Sequence, residues 1–177
     1  MKTKRVIIEQ DSIFDDVRMI GITSPLIDYK IAIAFDRAAG IRLDKKADIC
    51  DDNGVPYSFY LYKFSNSQTS CNLIALNNKA LNKSWLGPLS IRIDYLLIIR
   101  GDDATDEMAE KIKSKMSSSQ GLNTYLIKSD VSPNMRKIVT KIEGNILEAA
   151  EMHELAIESF YCRPMPSNLK FRKLKKA

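Results

Sequence analysis

The sequence predicts an α+β domain: a mainly antiparallel sheet of about five strands with two or three helices on one face, continued by a long C-terminal helix and a basic tail. Three observations predict it. Short alternating or wholly apolar runs bounded by turn residues recur at 17–23, 57–62, 71–79 and 91–100. Two stretches, "TSPLIDYKIAIAFDRAAG" and "DDATDEMAEKIKSKM", carry apolar residues at helical spacing. The connections between the middle runs are short, which makes consecutive strands antiparallel neighbours.

The elements follow in order. RVIIE (5–9) and VRMIGIT (17–23) read as strands flanking an acidic loop. Ser24 before Pro25 is an N-cap followed by a proline in the first turn, Asp28 suits that turn, and Gly40 can close the helix in the left-handed conformation. Ile27, Ile31, Ala34, Phe35 and Ala38 then share one helical face, although "YKIAIAF" also alternates at period two and competes as a strand. The aromatic run at 57–62 pairs with "CNLIALNNK", and Ile91 to Arg100 supplies a third consecutive strand. In the next helix, acids fill the start, Lys111, Lys113 and Lys115 the end, and Met108, Ile112 and Met116 form the buried stripe. "LNTYLIKSD" is a further strand. Ser132-Pro133 opens a last helix whose stripe runs through Met135, Ile138, Val139, Ile142, Ile146, Ala150 and Leu155. Unbroken to Phe160 it would be about 40 Å long, more than a domain of this size covers, so either Gly144 breaks it or its second half packs on a partner. The boundaries expected are a domain over 1–140, a helical extension over 141–163 and a flexible tail over 164–177.

Composition narrows the class. The chain has 177 residues, 45% of them hydrophobic, which is ample for a core without disulfide or metal staples. No apolar run approaches the roughly 18–20 residues of a bilayer span, and Glu9 and Asp11 interrupt the N-terminal run before it resembles a signal peptide. Three widely spaced cysteines fit reduced thiols and a cytoplasmic location. The net charge of +5 is matched by five cations in the closing "KFRKLKKA", so basicity belongs to the tail and not to the domain.

The stretches "IGITSPLIDYKIAIAFDRAAGIRLDKKADI" and "IDYLLIIRG" resemble a bacterial family named for its Ile-Pro-Glu-x-x-x-Val-Asp-Tyr signature. Residues 4 to about 140 follow that family's order of elements. The signature is partial here: Gly87 stands in the isoleucine position, Pro88 is kept, Leu89 replaces the glutamate, and Ile93, Asp94 and Tyr95 match its end. The resemblance marks Pro88, Arg92, Asp94 and Tyr95, and their chemistry suggests a structural role. Pro88 suits a strand entrance. Asp94 can accept hydrogen bonds from loop amides or from the Tyr29 hydroxyl, and Arg92 can pair with it. The long helix and the tail lie outside the resemblance.

No familiar catalytic pattern is present. Asp102, Asp103, Asp106 and Glu107 offer carboxylates for a cation, but acids are expected at a helix start. "DICDDNG" fails as a calcium loop because Tyr60 would fall where a bidentate glutamate is needed. His153, the one histidine, sits among Glu151, Glu154 and Glu158, and a pairing with Cys162 lacks any oxyanion architecture. Glycine-rich phosphate loops, HExxH and CxxC are missing, so no metal and no cofactor is expected. The expected function is a non-enzymatic protein-interaction module acting through the long helix, with itself or another protein. The alternative is an RNA- or ribosome-associated accessory protein. In that reading Lys170, Phe171, Arg172, Lys173, Lys175 and Lys176 supply cations interleaved with apolar side chains.

Overall fold

A computed structural model of the chain describes residues 16–85, 93–127, 137 and 139–147. Its centre is strand β9 (Tyr95–Arg100), in which every residue from Tyr95 to Ile99 is buried. A strand apolar at each position needs cover on both sides and neighbours on both edges. It has them: β1 (Val17–Thr23) pairs along one edge and β6 (Ser70–Ala75) along the other, with Ile22 and Ala75 both opposite Tyr95. Beyond β1 lies β10 (Asn123–Ile127), and beyond β6 lie β5 (Phe59–Lys63) and the short β2 (Asp44–Lys45). The result is one six-stranded sheet in the order β10-β1-β9-β6-β5-β2, antiparallel at every pairing. Two-stranded pairs β3 (Ile49–Cys50) with β4 (Pro56–Tyr57), and β7 (Asn77–Asn78) with β8 (Lys83–Ser84), stand beside it.

Helices α1 (Asp28–Ala39) and α2 (Asp106–Ser117) cover one face. Ile31 and Phe35 from α1, and Ala109, Ile112 and Met116 from α2, meet Ile20, Ile22, Leu73, Leu97 and Ile99. The opposite face carries Met19, Ile74, Leu76, Leu96 and Ile98, and it is covered by Ile49, Val55, Tyr57 and the helical residues 139–147, α3. Two helices thus share one face, as the sequence reading expected, and α3, which that reading left without a face, lies on the other. The reason is the double-sided burial of β9: helices on one face alone would leave Leu96 and Ile98 in water, and each large apolar side chain so exposed forfeits roughly 1.5–3 kcal/mol.

α3 docks with Val139 and Ile142 fully buried, so the packed body runs past residue 140. Three polar contacts fix its position: Glu143 Oε1 accepts from Arg100 Nη1 at 3.0 Å, Lys141 pairs with Asp52, and Asn145 Nδ2 donates to the Cys50 carbonyl. The strand at 5–9, the start at Ser132-Pro133, the helix over 148–163 and the tail lie outside the described residues.

The local chemistry differs from expectation at three places. Ser24 does not cap α1, which starts at Asp28 behind Ile27. Ser24 is held at the end of β1 instead, its hydroxyl donating to the Gly121 carbonyl at 2.7 Å and accepting from the Leu26 amide, so the chain cannot turn helical until later. Ile27 is consequently 45% exposed and outside the core face. The aromatic run at 57–62 is two strands, β4 and β5, divided at Ser58, with Tyr57 and Phe59 in the same cluster. Elsewhere the capping is regular: Thr105 Oγ1 accepts from the Met108 amide, and Gly40 closes α1 at φ +69°.

Gly101, at φ +125°, turns the chain after β9 where a Cβ would stand 2.6 Å from the Thr69 Cα. Gly40 has open space around it. Both positions strain an L side chain, but only the first also drives backbone against backbone. In urea unfolding, Gly101→Ala is expected to lose about 3 kcal/mol or more and Gly40→Ala about 1 kcal/mol; equal losses would contradict the close packing. Glu143 supplies a pH signature. Burial pushes its carboxyl above the ordinary value, and the Arg100 charge and hydrogen bond only partly offset this. A carboxyl raised in the fold opposes stability once ionised, and this penalty fades as the pH falls through the folded value. Glu143→Gln is therefore expected to raise the urea midpoint at pH 8 and to show no such gain at pH 4, since Arg100 is half exposed and tolerates losing its partner.

Candidate functional site

The described end of the partial signature, Ile93, Asp94 and Tyr95, lies where the N-terminal end of β9 meets the C-terminal ends of β1 and β6. Asp94, just before β9, has its backbone in the ladder: its amide donates to the Ile22 carbonyl, and its carbonyl accepts from the Leu76 amide, both at 2.9 Å. Its carboxylate spans the same two neighbours. Oδ2 accepts from the Ser24 amide at 2.9 Å, and Oδ1 accepts from Asn77 Nδ2 at 3.1 Å. The loop-amide role expected of Asp94 is what this geometry shows, with Asn77 as the second donor, while Tyr29 is half exposed on α1. Tyr95, buried, donates its hydroxyl to the Leu26 carbonyl at 2.8 Å and so ties the segment ahead of α1 to the sheet. Pro88 and Arg92 lie outside the described residues, as do Lys170, Phe171, Arg172, Lys173, Lys175 and Lys176.

Next to this junction is a cleft of about 200 Å³ whose walls include Asp28, Asp48, Tyr57, Ser58, Asn77 and Tyr95. Neither Asp28 nor Ser58 stands out in the sequence as a site residue; the sharp bend between β4 and β5 brings Ser58 to the start of α1. Burial alone would raise the Asp28 carboxyl. Hydrogen bonds from Ser58, the Tyr29 amide and Tyr60, with the charge of Lys45, together hold it below the usual carboxylate range. Lys45 also pairs with Asp48 and lies 5.1 Å from the centre of the Tyr60 ring.

The ionisable groups of the cleft are displaced away from neutral pH. Tyr60 is pushed up to about 12, first by burial and then by the Asp28 charge and hydrogen bond, and Tyr95 is pushed up to about 12 mainly by burial. Both phenols are therefore protonated at neutral pH, while the Asp28 carboxyl, held low, is ionised. Burial also pushes the Cys71 thiol up to about 12, far from a reactive thiolate.

Two other carboxylates weighed in the sequence, Asp51 and Asp106, have internal partners. Asp51 Oδ1 accepts from the Asn53 and Val55 amides, each at 2.9 Å, which closes the β3–β4 turn. These bonds, led by that from Val55, hold its carboxyl below the usual range. Asp106 pairs with Arg18 at 2.5 Å, and the Asp103 amide donates to Thr69 Oγ1 at 3.1 Å. The acidic corner at 102–107 thus begins α2 and fastens it to β1 and to the β5–β6 turn. His153 and Cys162 lie outside the described residues.

No family model and no curated protein matches the chain. The Asp94 junction yields a direct test of its structural role. Asp94→Ala strands the Ser24 amide, and a loss of about 3 kcal/mol is expected in urea unfolding, against about 1 kcal/mol for Asp94→Asn, which keeps one acceptor. A near-neutral alanine variant would show that the carboxylate is not a clip.

Proposed function

We propose that the chain is a non-enzymatic protein-interaction module, related to the Ile-Pro-Glu-x-x-x-Val-Asp-Tyr signature family and working in the cytoplasm, that binds through the distal part of α3. One observation supports this reading above others. Val139, Glu143 and Leu147 stand four residues apart on one side of α3; the first two are buried against the sheet, and Leu147 is 61% exposed. Leu147, at the end of the described helix, is thus an apolar side chain without cover. Ala150 and Leu155 extend the apolar pattern in sequence. An amphipathic helix in this position meets a complementary helix or groove, and a second copy of the same chain carries such a surface by construction.

The partner contact is apolar, so it should be insensitive to salt. Light scattering across a concentration series is expected to show self-association of the full chain that persists at high salt and is lost in Leu147→Asp. That substitution lies outside the core and should leave the unfolding midpoint unchanged. A chain monomeric at every concentration, with or without the substitution, would overturn self-association through this helix.

A further inference from the structure

The outer edge of the sheet carries a second surface, independent of α3 and of the C-terminal tail. Strand β2 contributes only Asp44 and Lys45 to the ladder, with Asp44 opposite Leu61. The Lys46 amide adds one more bond, to the Phe59 carbonyl at 3.0 Å. Two positions beyond the Asp44–Leu61 pair, on the same side of the strands, come Arg42 and Lys63. Arg42, Lys46 and Lys63 are all exposed, and they surround an open depression of about 630 Å³ with Leu61 and the half-buried Tyr62 at its walls. The one carboxylate there is Asp44. Among the described residues none of the three cations is in an ion pair.

Like charges gathered across neighbouring strands repel one another. Other exposed cations, among them Lys30, Arg37, Lys79 and Lys83, also stand outside the ion pairs of the described residues, but here three surround one depression with a single carboxylate. The depression therefore holds an excess of positive charge that an external anion would relieve. A peptide strand adding to the edge would find few free ladder positions beside so short a β2, whereas a phosphate backbone needs only the cations, and a base can lie against the partly exposed ring of Tyr62.

We infer that the β2–β5 edge is a binding surface for single-stranded nucleic acid, with Arg42, Lys46 and Lys63 contacting phosphates and Tyr62 contacting a base. The surface is built from residues other than Lys170–Lys176. Edge lysines also discourage sheet-to-sheet pairing, a role that requires no ligand and predicts no affinity.

The test is fluorescence anisotropy of a labelled oligouridine with the full-length chain at a series of salt concentrations. Three proteins are compared: wild type, R42Q/K46Q/K63Q, and a full-length variant with the five tail cations changed to glutamine. The edge variant is expected to bind about tenfold more weakly or worse at low salt, and its log–log salt slope should fall by about two, the value for three phosphate contacts on a single strand. K63Q alone, a single exposed change, should show about a third of that loss in slope. The tail variant should retain the edge's share of binding. An edge variant that binds as wild type, a full chain with no affinity at low salt, or displacement of the oligouridine by polyglutamate at equal charge concentration would each overturn the inference.

Discussion

The double-sided burial of residues 95–99 in β9 is the constraint on which the rest of the structure depends. Leu96, Leu97, Ile98 and Ile99 are each fully buried, and side chains alternate across the strand, so two of them face each way. No single layer of helices satisfies that strand. α1 and α2 close one side around Leu97 and Ile99; α3, the β3–β4 pair and Tyr57 close the other around Leu96 and Ile98. The edges are likewise determined, because backbone groups in so dry a strand must be paired with neighbouring strands. β1 and β6 do this in matched register, and the remaining strands extend the sheet outward to places where water supplies the missing partners.

A dry central strand makes its ends expensive, since the chain must pass from apolar core to turn without stranding polar groups. The two ends of β9 solve this differently. At the start, one carboxylate, Asp94, receives donors from both flanking chains, the Ser24 amide and Asn77, while the Tyr95 hydroxyl caps the Leu26 carbonyl. At the finish, Arg100 reaches half into solvent and leans on Glu143, and Gly101 allows a turn tight enough to lie against Thr69. Asp94 and Tyr95 are therefore answers to a packing problem. Their position at a cleft follows from where strands end, and their hydrogen-bonding capacity is already used within the fold.

Much of this was legible in the residues. The alternation at 57–62, the turn that follows it and the partner run at 71–79 imply the β5-β6-β9 meander, and Gly40 marks the end of α1 because few other residues adopt φ +69°. What was not legible depended on contacts distant in sequence. Ser24 has the chemistry of an N-cap, but Asp94 and Gly121, 70 and 97 residues away, claim its amide and hydroxyl. Local propensity cannot foresee that competition. The placement of α3 opposite α1 and α2 was implicit in the apolar run of β9, which an argument from helix patterns alone overlooks. Asp28 and Ser58 were invisible as neighbours because thirty residues and a bend at Ser58 separate them in the chain.

Surface groups differ in how far the fold already supplies them with partners. A polar group already engaged in a buried hydrogen bond must break it to bind a ligand, and little net energy remains. Asp94, Ser24 and Tyr95, whose hydrogen bonds are partly buried, are of this kind. The opposite holds where the fold leaves groups unanswered: Leu147 at the end of the described helix, and Arg42, Lys46 and Lys63 along the outer edge of the sheet. One presents apolar area without cover and the other presents charge without a counter-charge. An apolar contact resists salt and a phosphate contact yields to it, so two partners could be held and released independently on a single small sheet.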